Sequence, residues 1–188
     1  VKDWNATFSL NFTTAQDKKL NTKDLYFEPN LSKNNGSQVL SMKLKTSENT
    51  YLEYVYTLPK EGYMLDLVVR SQGLAGAVNT SKPMNIDWKL QARRMEKSVT
   101  YENRYTQAAI QYEGDRINRM SQAGNDEQKE EKVSWVAYKQ HLFTSVLISD
   151  NPFEKGDFVS HNIAMNEGKE VKYTKNFLTS LPVKAKSG

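Results

Sequence analysis

Leu40-Ser41-Met42-Lys43-Leu44-Lys45, Leu52-Glu53-Tyr54-Val55-Tyr56-Thr57-Leu58 and Leu65-Asp66-Leu67-Val68-Val69-Arg70 share one pattern, with an apolar residue at every second position. Successive side chains of a strand point to opposite faces. Each run therefore turns one face to a core and leaves the other largely polar, as antiparallel strands do. Ser47-Glu48-Asn49-Thr50 separates the first two runs, and Pro59-Lys60-Glu61-Gly62 separates the second and third. Proline presets the φ of a turn and glycine accepts positive φ at its exit. Residues 39–71 read as a three-stranded meander.

The same period extends outward. Phe8, Leu10 and Phe12 suggest an earlier strand, and Met84, Ile86, Trp88 and Leu90 alternate with Asn85, Asp87 and Lys89 in a later one. Between them, Gln72-Gly73-Leu74-Ala75-Gly76-Ala77-Val78-Asn79 and Thr80 to Pro83 read as a crossing loop. A strand follows this loop where a phosphate loop needs a helix, and no Gly-Lys-Ser/Thr is present. Residues 114–132 are polar and rich in Asn, Gln and Glu, and read as a mobile insertion. Val133 to Phe143 suits a strand followed by one helical turn, then a strand at Ser145–Ile148. Strands near Phe158–Met165 and Val171–Leu178 finish the chain, and no fixed-period repeat is present. The expected architecture is all-β, antiparallel, a single domain over residues 1–188 with one short helix.

Composition narrows the function classes. The 188 residues are 38% hydrophobic and 11% aromatic, enough for one thin sheet-on-sheet core. No run approaches the length of a transmembrane helix, and Val1-Lys2-Asp3-Trp4 lacks the features of a signal peptide. Any export signal or anchor is expected outside this sequence. Net charge is +4, but cations and anions interleave, as in Arg93-Arg94-Met95-Glu96-Lys97 and Glu127-Gln128-Lys129-Glu130-Glu131-Lys132. A nucleic-acid binder gathers cations on one face, so this pattern reads as solvated surface. There is no cysteine, hence no disulfide, thiolate zinc cluster or thiol nucleophile.

Catalytic signals are thin. The two histidines, His141 and His161, lack metal-ligand spacing. His141 sits among apolar residues and reads as packed at a core edge; His161 has no carboxylate partner visible in the sequence. No Gly-x-Ser-x-Gly elbow occurs. Asp66 and Asp87 fall on polar strand positions and read as surface. Trp88 and Trp135 take apolar-phase positions, whereas Trp4 is freer and, with Tyr51, Tyr54, Tyr56, Tyr63, Tyr101 and Tyr105, leaves a carbohydrate-binding sandwich open as an alternative. Asn5, Asn11, Asn30, Asn35 and Asn79 begin glycosylation-type triplets, which an Asn-, Ser- and Thr-rich chain produces by chance. No catalytic, cofactor-binding or metal residue is assigned, no cofactor is expected, and the partner-binding residues stay unassigned.

Several long strings carry a resemblance. Tyr54-Val55-Tyr56-Thr57-Leu58-Pro59-Lys60-Glu61-Gly62-Tyr63-Met64-Leu65-Asp66 with Val69-Arg70-Ser71 resembles the periplasmic domain of the membrane protein insertase YidC. So do Ile86-Asp87-Trp88, Ala92 to Lys97 and Tyr101-Glu102-Asn103-Arg104-Tyr105, and so does Trp135-Val136-Ala137-Tyr138-Lys139 with Phe143 to Ile148. Leu10-Asn11-Phe12 and Asp24-Leu25-Tyr26-Phe27 fit as well. The form most resembled is that of Bacteroidetes-type Gram-negative bacteria, over most of residues 8–148. The resemblance implies a β-supersandwich similar to galactose mutarotases, preceded in the family by further strands. It also implies a periplasmic location as part of an inner-membrane protein, and a non-catalytic accessory role in inserting and folding membrane proteins. The implied partners are Sec accessory subunits and nascent membrane proteins, with a groove suspected of holding extended chains. Fold kinship to mutarotases does not carry their chemistry.

Overall fold

The computed structural model describes residues 4–163 and 171–184. Its strands are β1 (Ala6–Thr13), β2 (Lys19–Asn21), β3 (Glu28–Asn34), β4 (Ser37–Ser47), β5 (Thr50–Leu58), β6 (Asp66–Gln72), β7 (Met84–Arg93), β8 (Gln107–Tyr112), β9 (Arg116–Arg119), β10 (Asp126–Lys139), β11 (Thr144–Asn162) and β12 (Tyr173–Val183). One α-helix, α1, spans Val99–Asn103. All the pairings given below are antiparallel, so the all-β expectation holds. The described residues divide into two compact units, one from residues 4–11, 83–163 and 171–184, the other from residues 12–82.

In the smaller unit the order is β3-β4-β5-β6. The expected meander is present as β4-β5-β6, with Leu40 opposite Tyr56 and Tyr56 opposite Leu67. Strand β3 was not anticipated. It pairs with β4 through a two-residue turn at Asn35-Gly36, where φ is +48° and +85°. Both values belong to the hairpin turn that asparagine followed by glycine favours.

The larger unit is organised by the β10–β11 hairpin. One half of it, residues 126–131 against 155–160, continues into β12, β7 and β1; the other half, residues 133–139 against 144–153, continues into β8 and β9. The ladder breaks where Val133 faces Phe153 but Trp135 faces Ile148, so β11 carries the extra residues Ser149 to Pro152. Lys132 has φ +51° at the same place. A bulge bends and twists a hairpin locally. The bend carries Tyr138 of β10 onto Trp88 of β7, ring centroids 4.0 Å apart, although β12 and β11 lie between those strands in the sheet. Tyr138 also stacks on Phe177 at 4.8 Å, and its hydroxyl donates to the Trp88 carbonyl (3.0 Å) while its oxygen can accept from the Thr179 hydroxyl, 2.6 Å away. Leu90, Ile110, Met120, Val133, Val136, Phe158 and Leu181 complete this core.

Three readings need correction. Residues 114–132 hold β9 and the start of β10, where Asn118 donates to Glu130 Oε1 at 2.6 Å and Gln128 donates to Asp126 Oδ1 at 2.7 Å. Their polarity is that of side chains pairing along strands. The helical turn expected near residues 137–143 is absent, because β10 runs to Lys139 and Gln140 N donates to the Phe143 carbonyl in a tight turn. The helix is instead α1, Val99–Asn103, capped by Ser98, whose Oγ accepts from Tyr101 N. Finally, β11 extends only to Asn162, and Ala164 and Met165 lie outside the described residues.

Gly156 is fully covered in β11. A Cβ there meets Phe158 Cζ at 2.5 Å and Leu181 Cδ2 at 2.9 Å, whereas one at Gly124 meets nothing within 4 Å. Gly156→Ala is expected to lower the unfolding free energy by about 1–3 kcal/mol in urea titrations, and Gly124→Ala to leave it nearly unchanged. Equal effects of the two substitutions contradict this packing.

Candidate interaction surfaces

The alternation that buries Leu90, Phe158 and Phe177 turns Gln91, Val159, Asn176 and Leu178 to the other face of the larger unit's sheet. There they line an open groove of about 590 Å³ with Asn5, Thr7, Lys89, Glu127 and His161, and with Trp4 at its edge. A polar ladder crosses it. Asn5 Nδ2 donates to the Gln91 carbonyl (3.2 Å), Gln91 Nε2 donates to Asn176 Oδ1 (3.0 Å), and His161 Nε2 lies 3.4 Å from Glu127 Oε1. Leu178 and Val159 supply apolar floor between the polar groups. His161 thus has the carboxylate neighbour that its local sequence does not reveal, because register and not spacing brings β10 alongside.

His141 lies elsewhere in the unit. Its Nδ1 is 3.0 Å from Glu96 Oε1, and its ring stacks on Tyr105 (4.6 Å) and meets Tyr101 edge-on (5.6 Å). Glu102 is buried and holds the segment before α1 by accepting from Met95 N and Glu96 N. Leu142 and Phe143 in the adjoining turn are exposed. The ring contacts of His141 are thus with two exposed tyrosines, Tyr101 and Tyr105. Each histidine pairs with its own glutamate, at separate places in the fold. Among the described residues, no group of three or more His, Asp or Glu side chains is placed to hold a metal.

Two other polar groups do structural work. Lys175 is fully buried and donates to the Ser121 carbonyl (3.2 Å) and the Gln122 carbonyl (3.0 Å), and burial holds its ammonium pKa down. Asp87, read as surface, is half-buried and accepts from Asn11 Nδ2 (2.6 Å) and Ser180 Oγ (2.8 Å). Trp88 packs against the core, whereas Trp135 is half-buried opposite Gln111 and Ile148.

In the smaller unit one sheet face carries Leu31, Leu40, Tyr56, Leu58 and Leu65 around a pocket of about 340 Å³. The opposite face centres on Glu53, only 2% exposed although it sits in the polar phase of β5. Its carboxylate accepts from Arg70 Nε (2.6 Å) and Ser41 Oγ (2.5 Å), with Lys43 Nζ at 3.7 Å. Lys43 in turn lies over the Tyr51 ring at 4.2 Å. The Arg70 hydrogen bond, more than the Ser41 bond and the nearby charges, holds the Glu53 pKa below its ordinary 4.5 against the opposing effect of burial.

These features define an antiparallel all-β domain with open grooves and isolated polar pairs. The comparisons name its kind. The family model described as YidC periplasmic domain matches residues 2–188, and the chain belongs to that family. The match reaches beyond residue 148, where the recognisable strings end. The chain is similar to proteins named membrane protein insertase YidC. The one from Bacteroides fragilis is 34% identical over 150 residues, covering 78% of this chain and 24% of that protein. The one from Porphyromonas gingivalis is 31% identical over 192 residues (100% and 30%), and that from Phocaeicola vulgatus 29% over 178 residues (90% and 27%). The chain therefore spans less than a third of the length of these relatives. No solved structure matches it significantly. The family and these relatives give no support to a carbohydrate-binding reading.

A carboxylate whose pKa is lower folded than unfolded adds stability above its unfolded pKa and loses that contribution as pH falls through the folded value. Wild-type chain is therefore expected to exceed Glu53→Gln in stability by about 1–2 kcal/mol at neutral pH. The difference should shrink as pH drops below the ordinary 4.5 and vanish below the lowered folded value. Urea titrations of both proteins across that range test this, and a gap that does not depend on pH contradicts it.

Proposed function

We propose that residues 1–188 act as one non-catalytic module on the periplasmic side of an inner-membrane insertase, assisting the insertion and folding of membrane proteins. The observation that carries this reading is the family match over residues 2–188. The polar ladder and apolar floor of the larger unit's groove suit an extended polypeptide, since a chain offers backbone donors and acceptors at every residue and side chains at alternate ones. The partners of this module are nascent membrane proteins and accessory subunits of the Sec translocon.

Two measurements on the full-length parent in its own cells test the proposal. Protease added to spheroplasts is expected to cut within this segment while the rest of the protein stays with the inner membrane. Deleting the segment is expected to leave most insertion of a reporter membrane protein intact. A soluble parent, or complete loss of insertion with the membrane part still folded and abundant, contradicts the accessory role.

A further inference from the structure

Among the described residues, strand β6, Asp66–Gln72, is the last strand of the smaller unit's sheet and is hydrogen-bonded to β5 alone. Six of its seven residues are exposed, and no described strand pairs with its outer edge, to which alternate residues turn their backbone donors and acceptors. Proteins usually blunt such edges with proline, lysine or a bulge. The opposite edge, β3, carries Pro29 and Lys33, and β9 at an edge of the other sheet carries an arginine at each end. β6 has no proline, no lysine and an unbroken register with β5. Its cation, Arg70, is drawn onto Glu53, while Val68 and Val69 are left in solvent.

Read backwards, the strand matches itself. If two copies pair antiparallel about Val68, then Val68 faces Val68, Leu67 faces Val69, and Asp66 faces Arg70 on both sides of the axis. Arg70 bonds Glu53 through Nε, and its 59% exposed side chain leaves the two terminal nitrogens for a second carboxylate. Other arrangements lose this match. Parallel pairing sets Asp66 beside Asp66 and Arg70 beside Arg70, and a centre at Val69 puts Arg70 opposite Val68. β9 turned on itself opposes Arg116 to Arg119.

We propose that this chain self-associates through β6, pairing antiparallel with β6 of a second copy so that two four-stranded sheets join across a two-fold axis. A two-fold contact needs a patch complementary to itself, and the order Asp-Leu-Val-Val-Arg has that property. Apolar pairs at the centre and opposite charges at both ends are the side-chain combinations that stabilise adjacent strands.

The chain has no cysteine, so Val68→Cys introduces a unique thiol. Residues directly opposite in antiparallel strands have Cα atoms roughly 4.5–5.5 Å apart, within disulfide reach. Sedimentation velocity of the whole chain is expected to show a dimer that grows with concentration. Under mild oxidation, Val68→Cys should form a disulfide dimer roughly tenfold or more faster than Ser32→Cys on the β3 edge. Asp66→Arg, at an exposed position, should weaken dimerisation about tenfold by placing like charges opposite each other twice, with circular dichroism unchanged. A chain that stays monomeric at all concentrations overturns the proposal, as does Val68→Cys oxidising no faster than Ser32→Cys. A dimer indifferent to Asp66→Arg does the same. Capture of an extended peptide by a β6 that never self-pairs assigns the edge to a different partner and overturns it too.

Discussion

The bend in the β10–β11 hairpin is the constraint on which the larger unit depends. An unbent hairpin keeps its two halves in one continuous sheet, with β12, β7 and β1 at one end and β8 and β9 at the other. The bulge at residues 132–135, opposite the extra residues 149–152, lets the halves turn toward one another, so that Tyr138 reaches Trp88 across two intervening strands. Tyr138 is then committed. Burial pushes its phenol pKa up, and the hydroxyl bonds to Thr179 and the Trp88 carbonyl inside an otherwise apolar contact. A buried hydroxyl with both bonds satisfied specifies one register between the halves, because a slip strands the polar atom. Gly156 makes the same demand on the other half, where Phe158 and Leu181 close over a backbone with no side chain.

The polar residues sort by what the strands bring next to them. Lys175 and Glu102 are buried and bonded to backbone groups, so they hold local geometry and are not poised for chemistry. The groove holding His161 is open and edged by exposed Trp4. In the smaller unit the buried Glu53 is likewise held in place, in one network with Arg70, Ser41 and Lys43 on a sheet face.

What was legible in the sequence was what period two encodes. The β4–β6 meander and β7 were readable from Leu40 to Leu90 because each strand has one apolar and one polar face. Strand β3 was not, since all seven of its residues are exposed and it alternates nothing. Its signal is Asn35-Gly36, a hairpin turn that also begins a glycosylation-type triplet. The first half of β10 escaped because its inward side chains, Asp126, Gln128 and Glu130, are polar and satisfied by one another and by Asn118. Glu53 occupies a polar-phase position of β5, and only the strands on either side show Arg70 and Ser41 closing over it. The groove draws on β1, β7, β10, β11 and β12, so no local window contains it. The family strings reached further than the physical reading did, through residues whose spacing alone carries no function.

The most direct test is a double-mutant cycle between Tyr138 and Thr179, the hydroxyl pair that closes the larger unit's core. Tyr138→Phe, Thr179→Val and the double variant are unfolded in urea beside the wild-type chain. Closure of the hairpin onto β7 and β12 predicts a coupling energy of about 1 kcal/mol. Strictly additive effects, with no coupling, mean the two hydroxyls do not meet in solution and contradict the account.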